Sequence, residues 1–230
     1  MPQIKLRRKP RTFWQGERAS EYPPLAPESE RGTARRVTEI GEPVLHTPAA
    51  PVGAEEFGTP ELLSLIDDMF ASMDVAEGVG LAAPQIGVGK QVFVFDLVDD
   101  DDDRHVGVIC NPTLTQDFDS EPILRDEGCL SVPGAYEPLS RPSVARVSGF
   151  TPAGEPLELS AVGYLARCFI HETQHLQGTL YWDHLSPEAQ EDALRQRDEN
   201  RAATLARRAE VAIELAKPAV TYPEAPAGGR

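Results

Sequence analysis

The chain has 230 residues, 40% of them apolar, which is enough for one well-filled core with flexible ends. Its formal net charge of −15 argues against general nucleic-acid binding, because phosphate contacts require clustered Lys and Arg. Its three cysteines are an odd number and favour a reducing compartment over a disulfide framework. The sequence has no apolar signal-peptide core and no apolar run of membrane-spanning length, so we expect a cytoplasmic protein.

The two ends of the chain differ in composition from the part between them. Residues 1–36 are basic, mix Arg, Pro, Glu and Ser without a helical or strand period, and are expected to be flexible. Residues 219–230 are expected to form a flexible tail for the same reason. The sequence therefore predicts an N-terminal extension over 1–36, one main domain over 37–186, and a C-terminal helix with a tail over 187–230.

The first half of the main domain contains one predicted helix and two predicted strands. Residues 59–77 combine a threonine N-cap, a first-turn proline and an apolar stripe, which predicts an amphipathic helix. Residues 91–97 and 106–110 are apolar runs that predict strands. The acidic run over 99–103 is typical of a solvated hairpin tip, because it lacks the alternating ligand spacing of a calcium loop.

The second half predicts short strands followed by two helices. Residues 121–160 contain strand-like runs separated by Pro and Gly. Ser160 is placed to cap a helix that keeps an apolar helical period to about Leu176, with Gly178 placed to end it. A last helix is predicted from Pro187 to Leu215. Strands of mixed spacing before a central helix indicate an α+β fold with mixed or antiparallel sheets.

The most specific local pattern is the H-E-x-x-H sequence at His171, Glu172 and His175. Residues four apart lie one turn above each other on a helix, so both imidazoles can bind one metal ion while Glu172 reaches a water molecule beside it. The alternative is a pair of solvent-facing histidines. The apolar stripe of the predicted helix favours the metal site, because burying two histidines and a glutamate without a function would be costly.

A metal site needs a third protein ligand, and the sequence offers two kinds. In a zinc endopeptidase of the thermolysin type, the third ligand would be a downstream glutamate, for which Glu191 or Glu199 could serve. The other candidate is Cys129, which stands beside a glycine that permits close backbone approach. Cys110 and Cys168 are expected to be small buried hydrophobes.

Three motifs in this order resemble those of the peptide deformylase family. They are G-V-G-L-A-A-P-Q at residues 78–85, E-G-C-L-S at 127–131, and H-E-T-Q-H-L-Q-G at 171–178, beside the family's G-x-G-L-A-A-x-Q, E-G-C-L-S and H-E-x-D-H-L-x-G. The resemblance extends more weakly to residues 40–45 and so covers roughly 37–183. It implies a metal-dependent amidohydrolase that removes the N-formyl group from the initiator formyl-methionine of nascent polypeptides, built around a central metal-binding helix.

The resemblance also implies the metal ligands and the general base. Cys129, His171 and His175 would hold one divalent metal ion, natively Fe²⁺, with Zn²⁺, Ni²⁺ or Co²⁺ able to occupy the site. Glu172 would accept the proton of the attacking water and return it to the departing amine.

Five further residues carry roles by the same resemblance. The Gln85 side-chain amide and the Leu130 backbone N–H would donate to the formyl oxygen as it becomes negative. Gly80 would allow the peptide to dock as a strand, while Val79 and Cys168 would line the pocket for the methionine side chain. Without the other motifs, the glycines would predict only a helix end and a turn.

Two positions depart from the family pattern. Gln174 stands where the motif has Asp, and Ile170 where Gln is common. Such an Asp would anchor the metal-binding helix, and Arg141 is the expected partner; Gln brings no charge, so we expect altered efficiency or metal retention. The alternative is a catalytically weakened or non-enzymatic protein with the deformylase fold.

The implied substrates are N-formyl-methionyl nascent peptides. The family resemblance also implies work near the ribosomal exit tunnel. The Arg-rich first 11 residues are candidates for contact with ribosomal RNA, and a solvated arm is the alternative.

Overall fold

The computed structural model describes residues 10–117 and 119–226, which form an α+β fold with one large and one small sheet. The strands are β1 (Thr12–Trp14), β2 (Glu17–Ala19), β3 (Gly80–Ala82), β4 (Val92–Val98), β5 (Arg104–Gln116), β6 (Ile123–Cys129), β7 (Val132–Arg141), β8 (Val144–Phe150) and β9 (Pro156–Val162). The helices are α1 (Pro27–Arg31), α2 (Pro60–Val75), α3 (Gly163–Leu176) and α4 (Pro187–Glu214). No helix within these described ranges is long and apolar enough to cross a membrane.

The large sheet has the order β2-β1-β5-β4-β3, and β5 also pairs with β8, which pairs with β9. Its pairs are antiparallel except for β1 with β5. The small sheet is the antiparallel pair β6-β7, against which α4 packs. Helix α3 contacts β3, β4, β5, β8 and β9, so it lies across the large sheet.

Strand β4 is apolar on both faces because each face is covered by a helix. Val92 and Val94 belong to the apolar cluster that includes α2, whereas Phe93 and Phe95 belong to the cluster that includes α3. Phe169 of α3 closes the second cluster, with its ring centroid 5.1 Å from that of Phe95. The alternation explains why residues 91–97 are an almost unbroken apolar run.

Several elements confirm the sequence predictions. Helix α2 begins at Pro60, and the side chain of Thr59 accepts a hydrogen bond from the Leu62 backbone N–H. The acidic run over 99–103 joins the antiparallel strands β4 and β5, as a hairpin tip does. The last helix also has the predicted extent, from Pro187 to Glu214.

The predicted start of the helix that carries His171 and His175 is wrong. Ser160 lies in β9, where it pairs with Arg146 of β8, and α3 begins only at Gly163. The β8-β9 ladder continues two residues beyond Ser160, so this serine is extended and cannot cap the helix. Gly163 has φ +60°, a conformation that lets the chain turn from the strand into the helix.

The sequence predicts a flexible segment over residues 1–36, but the structure gives residues 10–36 secondary structure and tertiary contacts. Strand β1 pairs with β2 and runs parallel to β5, and the Arg11 side chain donates to Asp103. Three-residue strands are too short to produce a readable period, so only their tertiary partners define them. Residues 1–9, which contain most of the candidate RNA-binding arm, lie outside the described residues.

The C-terminal segment also has defined contacts as far as it is described. The Tyr222 hydroxyl accepts a hydrogen bond from the Val37 backbone N–H, and the Lys217 ammonium donates to the backbone carbonyl of Ser29. The predicted domain boundaries at residues 36 and 186 stay a prediction.

Candidate metal centre

Helix α3 is buried on all sides from Leu165 to Leu176, and this stretch carries the H-E-x-x-H residues. The ring centroids of His171 and His175 lie 4.9 Å apart, as expected one helical turn from each other. His175 is fully buried, and Glu172 between them is 4% exposed. The two solvent-facing histidines of the alternative interpretation are therefore absent.

Cys129 reaches the histidines from the small sheet. The β6-β7 register shifts between Gly128 and Cys129, which is the kind of irregularity that re-aims a side chain out of the ladder. The Cys129 Sγ consequently lies 3.2 Å from His175 Nε2. Three possible ligand atoms, one each from Cys129, His171 and His175, lie within 4.8 Å of one another. This is close enough for the three side chains to hold one metal ion.

The surroundings of these three side chains fit a catalytic metal. A thiolate and two imidazoles leave one position of a four-coordinate site open. The Nδ1 of His171 donates to Glu127, which leaves its Nε2 for the metal. Glu172 Oε2 is buried without a hydrogen-bond partner among the described residues, and a buried carboxylate oxygen of this kind is suited to accept from a water molecule or bind an ion.

Glu127 orients the first histidine and is the functional residue that the sequence interpretation missed. Its Oε1 lies 2.8 Å from His171 Nδ1 and 2.6 Å from Arg141 Nη2, and its Oε2 lies 2.6 Å from Arg167 Nη1. All four side chains are largely buried. Burial raises the pKa of Glu127, but its hydrogen bonds to His171 and Arg141 outweigh that and hold the pKa well below its usual range.

Arg141 does not have the predicted partner. It pairs with Glu127, and the Gln174 Oε1 is buried without a hydrogen-bond partner among the described residues. The spacing contained a signal for this network, because Arg167 precedes His171 by four residues and so lies on the same face of α3.

Gln85 and Leu130 lie beside Cys129, where the resemblance predicted donors. The Gln85 Oε1 accepts from the Ala82 backbone N–H at 2.8 Å, which fixes the side-chain amide. Its Nε2 lies 3.6 Å from Cys129 Sγ and 3.3 Å from Ser131 Oγ. Leu130 follows Cys129 directly and lines the same cleft.

A cleft of about 430 Å³ opens over these groups. Eight of the nine site residues predicted from the sequence line it: Val79, Gly80, Gln85, Cys129, Leu130, Cys168, His171 and Glu172. His175, the ninth, lies behind it with no exposed surface. A Cβ on Gly80 would overlap Glu172 Oε1 and lie 2.9 Å from Cys168 Sγ, so glycine at this position keeps the cleft open.

The downstream glutamates of the endopeptidase alternative do not join this cluster. Glu191 and Glu199 are exposed on α4, and Glu199 pairs with Arg195. The third candidate ligand is instead Cys129, which is 7% exposed.

Burial changes the ionisation of two groups in the site. Burial raises the pKa of Glu172 to about 7, although the charge of His171 opposes the shift. Burial also lowers the pKa of His175 well below its usual value, helped by the charge of His171. The neutral imidazole of His175 is the form that binds metal.

Comparison with known families and proteins gives a consistent result. A family model described as polypeptide deformylase matches residues 34–191. Peptide deformylase 1 of Streptomyces avermitilis is 53% identical over 173 residues, which are 74% of this chain and 79% of that protein. A peptide deformylase of Mycolicibacterium paratuberculosis is 48% identical over 154 residues, which are 64% of this chain and 78% of that protein.

Solved structures resemble the fold over the same part of the chain. A peptide deformylase from Legionella pneumophila superimposes with a TM-score of 0.66 at 37% identity, covering 74% of this chain and 96% of that one. A class I type b peptide deformylase from Acinetobacter baumannii, bound to Met-Ala-Ser, gives a TM-score of 0.63 at 34% identity. That match covers 67% of this chain and 99% of the other.

Proposed function

The chain belongs to the polypeptide deformylase family, and from that premise we propose how its own residues remove the N-formyl group from peptides that begin with formyl-methionine. The observation that carries the proposal is the buried cluster of Cys129, His171 and His175 with Glu172 beside it. In this proposal the three cluster residues hold one divalent metal ion between α3 and the end of β6, and Glu172 moves the proton.

We propose Fe²⁺ as the native metal, on the family resemblance. A thiolate with two imidazoles also accepts Zn²⁺, Ni²⁺ or Co²⁺, so the donor set alone does not select among them. When bound, the metal supplies a Lewis acid that lowers the pKa of water and polarises a carbonyl oxygen.

The substrate backbone would dock beside Gly80. Strand β3, which begins at Gly80, ends the strand order of the large sheet, so an extended peptide can add to the edge that has no strand partner among the described residues. Val79 and Cys168 line the cleft at this strand and are the proposed contacts of the methionine side chain. The Cys168 thiol lies 3.9 Å from the Val79 carbonyl, which keeps these two residues together.

The reaction then requires one proton to move twice. Glu172 accepts the proton of the water that attacks the formyl carbon, and the formyl oxygen becomes negative in the tetrahedral intermediate. The Gln85 Nε2–H and the Leu130 backbone N–H donate to that oxygen. Glu172 then passes the proton to the departing nitrogen, so that formate and a free amino terminus are released.

Gln174, which stands where the family motif has Asp, is expected to affect catalytic efficiency or metal retention. Every proposed ligand, the base and both oxyanion donors are present, so the weakened-protein alternative rests on Gln174 alone. We expect Gln174→Asp to change metal content or turnover; if it changes neither, the argument from this position is wrong. We also propose nascent chains in the cytoplasm as the natural substrates, with docking near the ribosomal exit tunnel as a separate prediction.

The first experiment is to purify the protein anaerobically, measure its metal content, and follow formate release from formyl-Met-Ala-Ser. We expect about one metal ion per chain and turnover by the wild type, and loss of both in Cys129→Ala. Glu191→Ala is the control for the endopeptidase alternative and should keep metal and turnover. A metal-loaded wild type that leaves the formyl group untouched would refute the proposed function.

A further inference from the structure

Helix α4 reaches the catalytic cleft although it lies almost wholly beyond the residues that the family model matches. That match ends at residue 191, whereas Thr204, Arg207 and Arg208 of α4 line the cleft. Arg207 is an exposed residue that pairs with Glu77 at the rim. Arg208 is different, because it is only 4% exposed and its contacts point inward.

The Arg208 guanidinium is a buried cation without a carboxylate partner among the described residues. Its Nη2 donates to the backbone carbonyl of Leu130 at 2.8 Å, and its Nη1 donates to the Tyr222 hydroxyl at 3.2 Å. The guanidinium also lies over the Tyr222 ring, 5.7 Å from the centroid. Burying a cation with only neutral partners is unfavourable, so its position calls for a compensating role.

The carbonyl that Arg208 holds belongs to a peptide group that also contacts the metal centre. The Leu130 carbonyl and the Ser131 N–H are the two ends of one planar peptide. The Ser131 N–H donates to Cys129 Sγ at 3.4 Å. A charged donor on the carbonyl fixes the peptide plane and polarises it, which strengthens the N–H at its other end.

We propose that Arg208 is a positioning residue of the catalytic centre, which holds the Leu130–Ser131 peptide group against the Cys129 thiolate. Its action on catalysis rests on the proposed function, since the adjoining backbone N–H of Leu130 is the proposed oxyanion donor. Tyr222 completes the arrangement from the C-terminal segment by holding the other side of the guanidinium. Residues beyond the family match thereby become part of the site.

Helix α4 has further polar anchors besides this arginine. The Arg201 guanidinium pairs with the buried Glu39 at 2.7 Å, and the Asn200 side-chain amide donates to the Gly134 carbonyl at 3.0 Å. Asn200 therefore makes the same kind of bond as Arg208, from α4 to a backbone carbonyl, but not to the peptide group beside Cys129. This makes Asn200→Ala the matched control.

The test compares full-length Arg208→Gln, Arg208→Lys and Asn200→Ala with the wild type. The assays are kcat and KM for formyl-Met-Ala-Ser, the rate of Zn²⁺ release to a chelator, and the thiolate-to-cobalt absorption band of Co²⁺-loaded protein. We expect Arg208→Gln to lower kcat and speed Zn²⁺ release by about 10 to 100-fold, with KM nearly unchanged and the cobalt band shifted. Arg208→Lys should recover part of each effect, because its ammonium keeps a single charged donor.

The control separates positioning from anchoring. Asn200→Ala should keep the wild-type kcat, Zn²⁺ release and cobalt band, even if its melting temperature falls. The proposal is overturned if Arg208→Gln lowers only the melting temperature and leaves those three quantities at the wild-type values. If the wild type does not deformylate the peptide, the proposed function fails, while Zn²⁺ release and the cobalt band still decide whether Arg208 acts on Cys129.

Discussion

The Nδ1 of His171 lies 2.8 Å from the Oε1 of Glu127, so the carboxylate of one motif orients a proposed metal ligand of another. Arg141 holds the same carboxylate from the end of β7, and Arg167 holds it from α3, one turn before His171. A histidine that donates through one ring nitrogen presents the other to a metal in a fixed direction, and the carboxylate makes that nitrogen more basic. The candidate metal site is therefore prepared by the ion pairs that surround it.

Removing the charge of Glu127 should weaken this preparation. In Glu127→Gln the two buried arginines lose their shared anion, and His171 loses its charged acceptor. We expect metal affinity or turnover to fall by about 10 to 100-fold, measured as metal retained after dialysis against a chelator and as kcat. Glu137→Gln is the control, since Glu137 faces Glu127 across β6-β7 but bonds to Gln196. Equal metal retention and kcat in both variants would contradict the assigned role.

Gly80 offers a test of the space that Glu172 needs. A Cβ at this position would overlap Glu172 Oε1, so Gly80→Ala should displace the proposed base and lower kcat while the metal stays bound. Gly89→Ala is the control, because a Cβ there meets nothing within 4 Å. The measurement is kcat together with metal content. An unchanged kcat in Gly80→Ala would mean that the position of Glu172 is not limiting.

Gln85 should contribute through its amide N–H. Gln85→Leu keeps the size of the side chain but removes the donor, and we expect kcat to fall by about 100 to 1,000-fold with a much smaller change in KM. Gln190→Leu serves as the control. Gln190 lies in the first turn of α4, and its side-chain amide donates to the backbone carbonyl of Trp182. A loss confined to KM would assign Gln85 to substrate binding instead of oxyanion stabilisation.

The Arg36–Glu42 ion pair predicts a specific dependence of stability on pH. The hydrogen bond from Arg36 holds the pKa of Glu42 below its usual value, although burial opposes the shift. A carboxyl whose pKa is lowered by folding stabilises the fold above its unfolded pKa, and this contribution is lost as the pH falls through the folded value. Glu42→Gln should therefore cost about 1 kcal/mol or less at pH 7.

Urea unfolding at pH 7 and at about pH 3 measures this dependence. The difference in unfolding free energy between the wild type and Glu42→Gln should shrink at the lower pH. The exposed Glu121→Gln is the control and should show no difference at either pH. A gap between wild type and Glu42→Gln that stays constant with pH would exclude the proposed contribution of this ion pair.

The parts of the fold that local patterns encode were predictable. Thr59, Pro60 and an apolar stripe predict helix α2, and a run of β-branched and aromatic residues predicts β4. Strand β1 gave no such signal, because three residues acquire strand structure only by pairing with β5. The predicted helix cap at Ser160 was wrong for a related reason. Serine often caps helices, but here the β8-β9 pairing holds it in a strand.

The site residues were likewise predictable where a local motif identifies them, and not where they depend on contacts between distant segments. His171 and His175 are recognisable from a spacing of four, and Cys129 from its motif. The partners of Glu127 and Arg208 come from separate segments, and only the folded chain brings Arg208 to the carbonyl of Leu130. Sequence spacing along one helix cannot report such contacts between segments.

The most direct test of the catalytic account is the comparison of Glu172→Gln with the wild type, both loaded with the same metal. The change removes the proton acceptor but leaves Cys129, His171 and His175 in place. We predict unchanged metal content and a loss of kcat for formyl-Met-Ala-Ser of about 100 to 10,000-fold. A Glu172→Gln protein that keeps its metal and releases formate at the wild-type rate would contradict the account.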